Sequence, residues 1–232
     1  FVNLVVLPYH APAVAAKEIA TLDVLSGGRV TLGVGIGGRE HDYLAAGYPF
    51  ERRHARLDEG VAELRRIWAG GEPFEGGDPV GPACVQAGGP PILAGAMGPK
   101  ALARAAKWAD GISGFAIDAD GAGMAAAVTA AAQAWEAEGR DTAPRNISGC
   151  FTVLGTADPQ SDLQNFTYDY LEIFGKGIAR AMADAAPVWN PERLHQVLDE
   201  AEAAGVDEFI LVPGTTDPAC LAAFAEVVAA RS

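Results

Sequence analysis

Cysteine is scarce in this 232-residue chain: Cys84, Cys150 and Cys220 are odd in number, far apart and outside any C-x-x-C spacing. That excludes a disulfide framework and offers no zinc pattern. Cations are short too, with 17 Lys and Arg against 30 Asp and Glu, a formal net charge of −13. Nucleic acid and anionic membrane surfaces both demand clustered positive charge, so neither is expected as a partner, and a small-molecule substrate is. No apolar run reaches membrane-spanning length, and the opening Phe1-Val2-Asn3-Leu4-Val5-Val6-Leu7 lacks the basic flank of a secretion signal, which points to the cytoplasm. The same opening starts inside an apolar run without an initiator methionine, and the expectation is that further residues precede it. Among the histidines, His10, His41, His54 and His195, there is no H-E-x-x-H spacing, so no metal site is expected. No Ser or Cys sits in a G-x-S-x-G elbow, which leaves acyl transfer without support.

What the chain has is alternation. Half of its residues are apolar, enough for one sizeable α/β domain over 1–232. Short β-branched runs near 2–7, 30–34, 92–94, 111–116, 147–154 and 208–212 alternate with longer helical patterns, the signature of six βα units and a parallel sheet. Pro12, Pro99, Pro159, Pro191 and Pro218 fall where a helix would take its first residue. Between about 51 and 68, Leu57, Val61, Leu64 and Trp68 recur at helical spacing and mark a core face. From Gly70 to Pro91 glycine and proline fill about half of the positions. That span is expected to be a long ordered loop, an insertion that could serve as a lid over a site.

Two glycine-rich segments carry the candidate chemistry. Gly95-Ala96-Met97-Gly98-Pro99-Lys100 lies between a buried strand and a helix start, where free amides and the positive helix end can hold a phosphate and Lys100 can add a countercharge. An ordinary tight turn is the alternative. Gly33-Val34-Gly35-Ile36-Gly37-Gly38 matches the G-x-G-x-x-G spacing after a strand, but a polar loop follows instead of a helix, and Asp58 falls inside an amphipathic helix instead of closing a second strand. A dinucleotide fold is therefore disfavoured, and Gly35 and Gly37 are expected to let backbone approach a ring system at the carboxyl ends of the strands. Tyr9, His10 and His41 are the catalytic candidates, on segments that follow strands; His54 and His195 are expected on helix surfaces.

Read together, Lys17-Glu18-Ile19-Ala20-Thr21-Leu22-Asp23-Val24-Leu25-Ser26-Gly27-Gly28-Arg29 and Leu32-Gly33-Val34-Gly35 resemble the luciferase-like monooxygenase family. Further landmarks recur in order: Gly47-Tyr48-Pro49-Phe50, Arg53 and Arg56 before Glu59, Trp68, Pro90 to Gly95, Gly98 to Leu102, and Ala109-Asp110-Gly111. The resemblance implies a TIM-type (β/α)8 barrel, with the first two βα units lying before Phe1. It also implies an oxidoreductase or monooxygenase that uses FMN or the deazaflavin F420, and commonly a homodimer. Gly95, Ala96, Met97 and Gly98 would then hold the cofactor phosphate, Gly35 and Gly37 would lie beside the ring, and Asp23 and Arg29 would serve structure. A shortened, non-catalytic relative of the same fold is the alternative.

Overall fold

The computed structural model describes residues 2–231, which pack as two compact units. The first is built from the chain up to Ser113 together with Gln133–Arg145; the second comprises Gly114–Ala132 and the chain from Asn146 onward.

In the first unit, β1 (Val2–Val6), β2 (Leu32–Gly35), β3 (Ile92–Ala94) and β4 (Gly111–Ser113) pair in parallel in that order. β2, β3 and β4 are buried at every position, as strands covered on both faces must be. The register of β1 against β2 is irregular between Val2 and Val5. The helices are α1 (Pro12–Ser26), α2 (Glu40–Ala46), α3 (Arg53–Trp68) and α4 (Pro99–Ala105). The core joins Ala16 and Ile19 of α1 and Val61 and Leu64 of α3 to Leu32, Val34 and Ile92 of the sheet. The stripe expected on 51–68 does face this core, with Trp68 partly buried against it.

In the second unit, β5 (Arg145–Thr152) and β6 (Glu208–Pro213) pair in parallel over six positions. α5 (Gly121–Ala137) belongs to this unit up to Ala132 and to the first unit from Gln133, and α6 (Pro159–Leu171), α7 (Lys176–Ala185), α8 (Pro191–Ala203) and α9 (Pro218–Ala229) complete the helices. α6, α8 and α9 open on an Asp158, Asn190 or Asp217 side chain that accepts a first-turn amide, with proline following. Cys150, Val153, Leu163, Leu194 and Phe224 are central to this unit's core. Among the described residues no helix is long and apolar enough to cross a membrane.

Three expectations need correction. The stretch after Gly38 is not a loop throughout, because Glu40–Ala46 forms a helix that buries Tyr43. The fourth strand ends at Ser113 instead of Ala116, although the Gly114 and Ala116 amides still donate to Ile147 and Gly149 carbonyls at 2.7 and 2.8 Å. The 70–91 loop is not a lid over the carboxyl ends of the strands. It joins the end of α3 to the start of β3, so in a parallel βα unit it belongs at the amino ends. Its contacts agree: the Val85 and Gln86 amides donate to Asp23 near the end of α1 at 2.7 and 3.0 Å, Gln86 Nε2 reaches both Asp23 Oδ1 and the Val30 carbonyl at 2.8 Å, and the Leu32 amide donates to Pro91 O at 2.9 Å.

Candidate functional site

The carboxyl ends of β1, β2 and β3 converge in the first unit, and the segments leaving them are held by a short chain of contacts. β1 runs into a 3-10 turn, Leu7–Tyr9, whose Leu7 and Pro8 are buried. Arg56 of α3 donates from Nε to the Pro8 carbonyl at 2.6 Å while its guanidinium lies 4.0 Å from the Tyr48 ring centre, fixing the turn. Tyr9 then stands 5.2 Å from the His10 ring and 5.3 Å, edge to face, from Tyr43. Tyr43 is fully buried, meets Phe50 at 5.2 Å, and donates its hydroxyl to the Ile36 carbonyl between Gly35 and Gly37. Burial pushes its phenol up to about 12, with the Arg53 cation pulling weakly the other way, so the hydroxyl stays a neutral donor.

The structure thus brings Tyr9 and His10 together and leaves His41 apart, exposed on α2. His54 is exposed on α3 and His195 half-buried on α8. Burial, and then the Arg53 and Arg104 cations, lower the His54 pKa. Among the described residues no three of His, Cys, Asp and Glu stand close enough to hold a metal ion.

The glycines at the strand ends have a packing reason of their own. Gly35 and Gly95 follow the paired residues Val34 and Ala94, and the Gly95 amide donates to Val34 O at 2.7 Å. A Cβ on Gly35 would stand 2.8 Å from Leu4 Cδ1, and one on Gly95 2.5 Å from Leu4 Cδ2, closer than real Cβ contacts come. Val6 fills the space before Gly37 in the same way, at 2.7 Å. What faces outward is therefore the Leu4 side chain, 40% exposed and seated on backbone at two glycines. Sequence reasoning missed Leu4, because a leucine in an apolar strand reads as core. It also missed Asn3, whose Oδ1 accepts from the buried Ser113 hydroxyl at 2.8 Å.

The Gly95–Gly98 turn is open. The Ala96 amide bonds back to Ala94 O at 3.0 Å, Met97 is 83% exposed, and Gly98 caps α4 with φ +78° and nothing within 4 Å of where a Cβ would stand. The first bond of α4 runs from the Leu102 amide to Gly98 O, so the Lys100 and Ala101 amides lie in the first turn without an intrahelical acceptor. Uncovered amides, an exposed lysine and a glycine backbone fit a phosphate group in charge and in access.

Elsewhere in this unit several charged residues are engaged in hydrogen bonds and ion pairs. Asp23 is fully buried and takes the three donors of Val85 and Gln86 already described; Arg29 Nε donates to the Ser26 carbonyl. Asp58 pairs with Arg104 and accepts from Trp108 Nε1. Asp110 accepts from Arg65 at 2.8 Å and from the Ile92 amide at 2.7 Å.

Comparison with known proteins gives a consistent answer. The luciferase-like monooxygenase family profile matches residues 2–230. An F420-dependent hydroxymycolic acid dehydrogenase of Mycobacterium tuberculosis is 34% identical over 171 residues, which are 68% of this chain and 46% of that protein. The chain therefore spans less than half the length of that curated relative. The monooxygenase RslO1 of Streptomyces bottropensis superimposes with a TM-score of 0.74 at 20% identity, covering 98% of this chain and 76% of that one. An F420-dependent secondary alcohol dehydrogenase in complex with an F420-acetone adduct gives 0.73 at 18% identity, over 96% and 76%. At such identities the two structures speak for the fold alone. A family profile that runs from the first strand to the last helix, over an α/β chain of parallel strands, places this chain in the luciferase-like monooxygenase family.

Proposed function

We propose that the chain is an F420-dependent oxidoreductase that moves a hydride between the deazaflavin and a small organic substrate. The observation that carries this is the 34% identity, over two thirds of the chain, to a dehydrogenase named for F420. The carboxyl ends of β1–β3 support it chemically. The open Gly95-Ala96-Met97-Gly98 turn and the first-turn amides of α4 would hold the cofactor phosphate, with Lys100 as countercharge. Leu4 would offer the ring an apolar surface, with Gly35 and Gly37 behind it, and Tyr9 and His10 would stand nearest the reacting atoms. The deazaflavin, when bound, supplies the two-electron chemistry, and the protein supplies binding, orientation and exclusion of water.

The test is an absorbance titration of the full-length protein with F420 and, separately, with FMN. A saturable, perturbed F420 band is the expected result. Saturation with FMN alone would replace the cofactor and move the proposal towards oxygen chemistry. Binding of neither would overturn it.

A further inference from the structure

Tyr43 joins parts of the site that the sequence keeps apart. Its ring meets Tyr9 at 5.3 Å and Phe50 at 5.2 Å, and its hydroxyl bonds the Ile36 carbonyl. A side chain placed only to fill a core needs no hydroxyl there, since burying one without a partner is costly and phenylalanine would fill the same space. This hydroxyl is spent on a loop. In Gly35-Ile36-Gly37-Gly38 only Ile36 has a side chain, which packs against the core, and Gly35 is paired with Val6 at the end of β2, so past that pair the loop depends on Ile36 and on its backbone groups for position. Its Ile36 carbonyl is held by the Tyr43 hydroxyl.

We propose that Tyr43 is a positioning residue for the cofactor site: through Ile36 it fixes the Gly35–Gly37 backbone, and through its ring it backs Tyr9 and hence the Tyr9–His10 pair. It touches neither cofactor nor substrate. Two loops that leave different strands are set by one buried side chain carried on α2. The Arg56 bond to Pro8 O holds the Tyr9 turn from α3 at the same time. The inference rests on the proposal that the carboxyl ends of β1–β3 form the F420 site.

The test is Tyr43→Phe in the full-length protein, which keeps the ring and deletes the donor. Hydrogen exchange of the ligand-free variant should quicken about tenfold across residues 33–39 and stay unchanged in the α3 core, the effect of losing one buried hydrogen bond. The F420 dissociation constant should rise about tenfold, with a shifted absorbance band for what still binds. Unchanged exchange in 33–39, or an F420 dissociation constant within about twofold of wild type, would overturn the proposal. Should Tyr43→Phe not fold, Phe50→Leu loosens the seat of the Tyr43 ring and must produce both changes to a smaller extent. If wild type itself binds no F420, that failure belongs to the proposed function and removes the cofactor role with it. The exchange measurement still decides whether Tyr43 pins the loop.

Discussion

At the scale of single residues, Asp23 carries an acid-sensitive part of the stability. Burial alone would raise its pKa, but the Gln86 and Val85 donors outweigh burial and hold it below the ordinary value of 3.8. A depressed carboxylate contributes stability above its unfolded pKa and loses it as pH falls through the folded value. Asp23→Asn turns an amide N–H towards donors, and should cost about 1–3 kcal/mol near neutral pH. The gap to wild type should narrow near pH 3, in urea melts at both conditions. Lys100→Ala is expected to weaken F420 binding about three- to fivefold, because an exposed countercharge is screened by solvent. Among the cysteines, burial pushes Cys150 up to about 12 and raises Cys220 and Cys84 as well, with Asp23 adding to the effect at Cys84. Only Cys84 is not buried. Mild alkylation of the native protein, read by peptide mass, should therefore mark Cys84 slowly and spare the other two.

At the scale of elements, the 70–91 loop is a structural strap over the amino ends of the strands. Gly89 holds φ +90° where a Cβ would stand 2.1 Å from the Trp68 ring, and Trp68 Nε1 donates to Ala16 O at 3.1 Å. Gly89→Ala should cost about 2–3 kcal/mol, since it combines backbone strain with overpacking. A thermal melt should show that loss while the F420 titration stays unchanged; a lid would have moved both. Composition made the loop visible in the sequence, because glycine and proline resist helix and strand. Its side of the fold was legible only in the order of elements, since a connection from helix to strand belongs at the amino ends. The strands were legible from β-branched runs, and five helix starts from proline at the first position. α2 was not. It follows a glycine-rich stretch, takes Arg39 at its cap without a side-chain bond, and opens on Glu40-His41-Asp42, so periodicity had little to register. The candidate site was legible as glycines and not as their neighbours. Nothing in the spacing of Gly35 and Gly95 says that Leu4 fills the space before them, because that contact is set by the pairing of strands.

At the scale of the whole molecule, the surplus of 13 negative charges is the property that solution conditions reach most directly. Several of the ion pairs are exposed on both sides, such as Arg52–Glu59 and Arg180–Asp184, and exposed pairs contribute little each. Unpaired carboxylates therefore dominate the long-range field, and their mutual repulsion works against the compact state. Added salt screens that repulsion over about 8 Å at physiological ionic strength and weakens the few favourable pairs less than it relieves the many unfavourable ones. The melting temperature should consequently rise by about 2–4 °C between low-salt buffer and physiological salt, the response expected when about 1 kcal/mol of repulsion is screened in a chain of this size. Differential scanning fluorimetry across a chloride series checks it. A fall in melting temperature instead would mean that attractive ion pairs outweigh the surplus charge. The Arg65–Asp110 and Arg193–Glu200 pairs, each with a partly buried arginine, would be where to look first.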